Sequence, residues 1–364
     1  MSKKKFRFDE RVLEHIKPTV RAMQPYTVAG GQFAAIKLNQ NENPFDFPAN
    51  LKLEILNQFY SENWNRYPDV FPNLATEKIA AFLGVPAEAV IVGNGSNELI
   101  YTIFFATLSR GSRVLIPSPT FLYYEKVADI MEAEVIKVAM TASLTFDVAA
   151  ILEEALRSQP RILVLSTPNN PTSKSMTFAE IEEIASQVKS LVVVDEAYIE
   201  FSRERSALEL IYEHPNVIIL RTLSKAFSLA GVRLGYLVAN PTLAAELLKP
   251  KIPFATNRLA ELVAVKILEN YELVEQSVKI ILAERDRVFA ALQAMPNLNV
   301  HESDTNFFIV EVASPGDVFE SLKAKNILVR NVSSYPMMEK CLRIGVGTAA
   351  ENDALLTALK ERLS

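Results

Sequence analysis

From about residue 74 onward the chain alternates short apolar runs with longer segments of helical period. ATEKIAAFLG (75–84) spaces its apolar residues at helical intervals and stops on glycine, which predicts a helix ending at Gly84. AVIVG (89–93) reads as a strand, SNELIYTIFFATL (96–108) as a helix, RVLIP (113–117) as a strand and TFLYYEKVADIM (120–131) as a helix. EVIKVAM (134–140), RILVLS (161–166), LVVVDEA (191–197) and NVIILRT (216–222) read as further strands, mostly with helical stretches between them. Several of these runs are apolar at every position, as in strands buried on both faces of a mainly parallel sheet. The alternation predicts a three-layer α/β/α domain.

After about residue 255 the pattern changes. Two long helical stretches, 257–269 and 272–293, precede strand runs at NFFIVEV (306–312) and CLRIGVG (341–347), and a last helix runs through the C-terminus. This predicts a smaller α+β domain. The first forty or so residues read as an irregular arm ending in LNQNENPF (38–45). The expected division is an arm over 1–45 that contributes to the small domain, a large domain over 46–255 and a small one over 256–364. A chain of 364 residues is long enough for two cores.

Composition narrows the function. The net charge of −5 carries no concentrated basic face, which argues against a nucleic-acid binder, and the lysines at 3–5 read as a solvated tail. The single cysteine, Cys341, forbids an intrachain disulfide and points to a reducing compartment. No apolar stretch reaches the length of a membrane span, and no signal-peptide core follows the first lysines. A soluble cytoplasmic protein is expected. The three histidines, His15, His214 and His301, lack metal-ligand spacing and read as surface residues, and no G-x-S-x-G elbow is present. The chemistry therefore falls to lysine, carboxylates or a borrowed cofactor.

Ligands of open α/β sheets bind beyond the carboxyl ends of the strands, and the polar residues that follow these strands are distinctive. In RTLSKAFSLAGVRLGY (221–236), Lys225 could form a Schiff base with an aldehyde cofactor if burial and a nearby cation lower its pKa. Ser224 and Arg233 suit a phosphate. The alternative is an ordinary loop lysine. Asp195 ends an apolar strand, where its carboxylate could keep a pyridine nitrogen protonated, or could simply cap the next segment. Tyr198 stands within reach of the same ring. In GNGSNEL (93–99), Gly95 permits a tight turn and Ser96 opens a helix whose first amides can hold a phosphate. Ser96 reads equally well as a plain N-cap. A dinucleotide fingerprint is disfavoured, since Glu98 stands where the third glycine would be. Asn170, in TPNNPTS (167–173), could reach a bound ring or serve only its turn. Phe121 could stack on a planar cofactor or belong to the core.

The order of these signals resembles the fold-type I pyridoxal-phosphate (PLP) aminotransferases along essentially the whole chain. SKAFSLAGVR and VVVDEAY resemble that family's cofactor-lysine and ring-nitrogen motifs. LNQNENPF, NRYPD (65–69), GNGSNEL, DEAYIEF, RTLSKAFSLAGVRLG and CLRIGVGT resemble those of histidinol-phosphate aminotransferases. The resemblance implies PLP bound to Lys225, with Gly95, Ser96, Asn97, Ser224 and Arg233 around its phosphate. It places Asn170 and Tyr198 at the phenolic oxygen, Asp195 at the ring nitrogen and Phe121 over the ring. Tyr67 would reach the cofactor of a neighbouring subunit in a homodimer, to whose contacts the arm contributes. Tyr26, Asn43, Arg330 and Arg343 would hold the substrate.

The implied reaction moves an amino group from histidinol phosphate to 2-oxoglutarate. Aromatic amino-acid transamination, threonine-phosphate decarboxylation and nicotinamide-dependent oxidoreduction remain as alternatives. Three positions depart from the family pattern: Ser173 for the usual glycine, Phe121 for a frequent tyrosine and Asn97 for a frequent aspartate. A left-handed backbone at Ser173 would be costlier than at glycine.

Overall fold

The computed structural model describes residues 9–25 and 34–363. Its centre is a seven-stranded sheet in the order Val90–Gly93, Gly235–Ala239, Val217–Thr222, Leu191–Asp195, Ile162–Ser166, Arg113–Ser118, Glu134–Ala139. Only Gly235–Ala239 runs against its neighbours, so the sheet is mainly parallel, as expected. That strand was not anticipated from the sequence.

Alternate residues of each central strand feed two separate cores. Leu163, Val192, Val194, Val217 and Ile219 face one; Ile162, Val164, Val193, Ile218 and Leu220 face the other. Helices Ser96–Thr107, Tyr123–Ile130 and Pro241–Leu248 cover the second face, supplying Leu99, Ile103, Phe104, Val127 and Leu247. Helices Asn73–Leu83, Val148–Ser158 and Phe178–Gln187 cover the first through Ile79, Ile151, Ile181 and Ile184. Two covered faces explain why these strands lack alternation. The layers form the α/β/α arrangement that the sequence predicts.

Local signals set the helix ends. Asn73–Leu83 stops at Gly84, whose φ of 69° is the left-handed stop a glycine supplies cheaply. Phe178–Gln187 starts at a capping box in which Thr177 and Glu180 satisfy each other's backbone amides.

Beyond residue 255, helices Arg258–Glu269 and Glu272–Gln293 lead into a four-stranded antiparallel sheet. Its order is Arg330–Asn331, Cys341–Gly345, Phe307–Val312, Leu298–Val300. Helix Pro315–Ala324, unanticipated, packs beside it, and Ala349–Leu363 packs against that helix and Glu272–Gln293. The N-terminal arm is less irregular than expected: it holds a 3-10 turn at Glu10–His15 and a short helix at Pro18–Ala22. Strand Ile36–Lys37 then pairs with Ile327–Leu328, drawing residues 38–43 between the two larger sheets.

Candidate active site

Strands Ile162–Ser166, Leu191–Asp195 and Val217–Thr222 end side by side, and Ser166, Asp195 and Thr222 open onto one cavity of about 680 Å³. Ser96, Asn97, Phe121, Asn170, Tyr198, Ser224, Lys225, Arg233, Arg330 and Arg343 line the same cavity. Most residues singled out in the sequence thus converge, although they span some 250 positions.

One end is built for an anion. Helix Ser96–Thr107 has Gly95 as its N-cap, with φ of 77° and no side-chain cap, so Ser96 is the first helical residue and not the N-cap. The first-turn amides and the helix dipole therefore face the cavity without a side-chain acceptor. A side chain at Gly95 would put its Cβ 2.5 Å from Arg233 Nη2, and one at Gly235 would sit 2.4 Å from the Ser96 amide nitrogen. Both glycines are required for this close approach. Arg233 Nη1 donates to Ser224 Oγ at 3.3 Å, so helix start, hydroxyl and guanidinium form one cradle.

At the floor, Asp195 is buried, its Oδ1 accepting from the Ala197 amide at 3.1 Å and its Oδ2 from the Tyr124 hydroxyl. Asp195 thus also serves its own turn through one oxygen, but it does not cap the 3-10 helix Ile199–Phe201, whose N-cap is Tyr198. Burial pushes the carboxyl up to about 6, against the pull of the two donors. Tyr124 escaped notice because an aromatic on an apolar helix face reads as core. Phe121 lies just before helix Tyr123–Ile130 rather than within it, half-buried at the cavity wall with Tyr123 stacked beside it.

Between floor and cradle lies Lys225. Its Nζ donates to the Gln40 carbonyl at 2.8 Å and sits 5.8 Å from the Tyr198 ring centre. Burial, with the Arg343 and Arg233 charges, depresses its pKa to about 8, while Glu42 opposes this. A shift in this direction is the one that a Schiff-base lysine needs. Tyr198 is buried, and its hydroxyl accepts from Asn41 Nδ2 at 3.0 Å.

The far wall is cationic. Arg330 and Arg343 are direct cross-strand partners, an unfavourable pairing of like charges unless an anion joins them. Arg343 donates to Asn170 Oδ1 at 2.6 Å and to the Asn39 carbonyl at 2.7 Å. Asn169, in contrast, is fully buried and serves the turn through Thr120, Pro119 and Thr172.

Two residues stand apart from this cavity. Asn43 lines an adjoining cavity, where its Nδ2 donates to the Ala226 carbonyl and Ser277 Oγ. Tyr67 is exposed on the outer surface, 4.8 Å from the Phe254 ring. Tyr26 lies outside the described residues. Ser173 adopts a left-handed backbone, φ 63°, as the glycine usual there would. Of the three histidines read as surface residues only His15 is exposed: His214 and His301 are half-buried, the latter with Nε2 2.7 Å from Glu311 Oε1. No described helix is long and apolar enough to cross a membrane.

An anion cradle, a buried carboxylate and a depressed lysine between them match the phosphate, ring nitrogen and aldehyde of PLP. The sequence pattern of the family of aminotransferases of class I and II matches residues 34–359. A histidinol-phosphate aminotransferase of Chlorobaculum tepidum is 54% identical over 95% of this chain and 99% of its own length. The crystal structure of histidinol-phosphate aminotransferase from Sinorhizobium meliloti in complex with pyridoxal-5'-phosphate superposes with a TM-score of 0.86 at 23% identity, covering 96% and 97% of the two chains. L-threonine-O-3-phosphate decarboxylase from Porphyromonas gingivalis superposes with a TM-score of 0.80 at 24% identity over 90% and 99%, so the fold is shared across both chemistries. By its near full-length match to the family pattern and to the Chlorobaculum relative, the chain is a PLP-dependent enzyme of the class I and II aminotransferases and belongs to their histidinol-phosphate aminotransferase family.

Proposed function

We propose that this chain transfers the amino group of histidinol phosphate to 2-oxoglutarate, a step of histidine biosynthesis, with Lys225 as the catalytic residue. The observation that carries the reading is one cavity lined by Lys225 and by two cationic clusters, the Ser96–Ser224–Arg233 cradle and the Arg330–Arg343 wall. One cluster serves the cofactor phosphate. The other serves a donor that carries its own anion, and the same arginine fork accepts the carboxylates of 2-oxoglutarate. The 54% identical relative favours histidinol phosphate over an aromatic amino acid or a decarboxylase substrate.

When bound, PLP supplies an electrophilic aldehyde and a protonated ring that accepts an electron pair. Gly95 leaves room for the phosphate, which Ser96, Asn97, Ser224 and Arg233 hold. Asp195, oriented by Tyr124, keeps the proton on the ring nitrogen. Phe121 packs on the ring face, and Asn170 and Tyr198 hydrogen-bond the phenolic oxygen. Lys225, with its pKa near 8, would take the substrate Cα proton and deliver it across the amine nitrogen to the cofactor's aldehyde carbon. Arg343 and Arg330 hold the substrate anion, with Asn43, in the adjoining cavity, as a further substrate contact.

A homodimer suits the exposed aromatics and aliphatics of the outer surface, Tyr60, Trp64, Tyr67, Ile252 and Phe254, which a second copy would cover, bringing Tyr67 to the partner's cofactor. The division at about residues 45 and 255 then separates arm, PLP-binding part and small C-terminal part, and the cytoplasm is the compartment that suits the lone buried thiol. Single-turnover absorbance tests the substrate. Rapid loss of the visible cofactor band with histidinol phosphate, and slow loss with phenylalanine, is the expected result; the reverse order would make the enzyme an aromatic aminotransferase.

A further inference from the structure

Glu98 occupies the first turn of helix Ser96–Thr107, beside the anion cradle. Its Oε2 accepts from the Asn94 amide at 2.6 Å and so shapes the glycine-rich loop. A carboxylate at this place has a cost: it stands within a turn of residues that would hold a phosphate dianion, and like charges repel strongly in a partly buried site. The structure supplies a compensating charge. Lys251, whose side chain is only 1% exposed, places Nζ 3.4 Å from Glu98 Oε1, and that oxygen is buried with no hydrogen-bond donor of its own. The ammonium also lies 5.9 Å from the Phe71 ring centre and 3.5 Å from the Ile252 carbonyl. A buried lysine reaching a buried carboxylate from over 150 residues away is held there against a large desolvation cost. Nothing in the resemblance drawn above assigns Lys251 a role.

We propose that Lys251 is a positioning residue for cofactor binding: it neutralises Glu98, so that Glu98 can brace the glycine-rich loop without repelling the cofactor phosphate. The proposal rests on the reading of Ser96, Ser224 and Arg233 as the phosphate end. It assigns to the ion pair an effect confined to ligands that carry a phosphate, which a purely structural brace would not have.

The test uses the full-length protein stripped of cofactor and titrated separately with PLP and with pyridoxal, which lacks the phosphate, by visible absorbance. Lys251→Met is expected to weaken PLP about tenfold and leave pyridoxal within about twofold. Adding Glu98→Gln to that variant should restore most of the PLP affinity, and Lys251→Arg should keep it. Equal losses for PLP and pyridoxal, or no restoration in the double variant, would overturn the proposal. Should Lys251→Met not fold, Glu98→Gln alone decides: PLP bound more tightly with pyridoxal unchanged supports it, and unchanged PLP affinity refutes it. Arg233→Ala serves as the separate control. If that variant loses neither ligand selectively, the phosphate end has been misplaced, whatever Lys251 does.

Discussion

The Tyr124 hydroxyl donates to the Asp195 carboxylate, and both groups are buried beneath the cavity floor. The tyrosine sits on a helix of one layer and the aspartate ends the central strand of another, so the bond ties helix Tyr123–Ile130 to the sheet at the deepest point of the site.

Removing that donor has a definite sign. Tyr124→Phe strips stabilisation from the ionised carboxylate, so the Asp195 pKa, already lifted to about 6 by burial, rises further. The acid limb of the kcat/KM profile should move to higher pH, with a loss of about tenfold at pH 6 that shrinks toward pH 8. An unmoved acid limb would show that Tyr124 does not govern Asp195.

Lys225 carries two expectations. Lys225→Ala should abolish turnover and the visible PLP band, read by absorbance and a coupled assay. The second concerns stability without cofactor. Its folded pKa of about 8 lies below the ordinary 10.5, so between those values the unfolded chain binds more protons and stability rises with pH. Lys225→Met should therefore melt higher than the parent at pH 7, the gap closing as pH climbs from about 8 to 10.5. A pH-independent difference in calorimetric Tm would contradict the depressed pKa.

The substrate end depends on the guanidinium fork. Arg343 engages Asn170 and the Asn39 carbonyl at once, which fixes its plane toward Arg330 across the strand pair. Arg343→Lys keeps the charge but loses the fork. It should lower kcat/KM for both amino donor and oxo acid about 10- to 100-fold, mostly through KM. A loss confined to one of the two half-reactions would mean that the donor and acceptor anions use different cations.

Ser173 is held at a costly φ of 63° by backbone bonds to Asn169 and Asp304 that a glycine would keep, and its side chain adds only a 3.4 Å contact from the hydroxyl to the Glu302 carbonyl. Ser173→Gly should stabilise the protein by up to about 1 kcal/mol, measured as the urea midpoint, after the greater freedom of glycine in the unfolded chain is subtracted. A fall in midpoint would mean that the hydroxyl matters more than the strain.

Much of this was legible because the sheet is covered on both faces. Continuous runs such as LVVVD and VIIL, repeated between helical stretches, fit strands buried on both faces, and the residues that follow such strands fall at one edge of a parallel sheet. Gly235–Ala239 escaped because it reverses only a dozen residues after Thr222, too short a connection for the crossover helix that marks a parallel strand. Tyr124 escaped because its hydroxyl, not its ring, does the chemistry, and a periodicity argument sees only the ring. The start of helix Ser96–Thr107 at Ser96 was legible, but the alternative of Ser96 as N-cap fails, because Gly95 takes that place with a φ of 77° and Arg233 close by.

The junction of Arg343 with the Asn39 carbonyl bridges 304 positions of the chain. A chain emerging from the ribosome can fold the nested β–α units of its central sheet early, since each is local in sequence. It cannot complete the substrate wall until strand Cys341–Gly345 has been made and has closed over residues delivered at the very beginning. Contacts of such separation form late and slowly. Partially synthesised chains can therefore expose the lysine and carboxylate while holding no competent catalyst, and activity should appear as the last event of folding rather than in step with secondary structure.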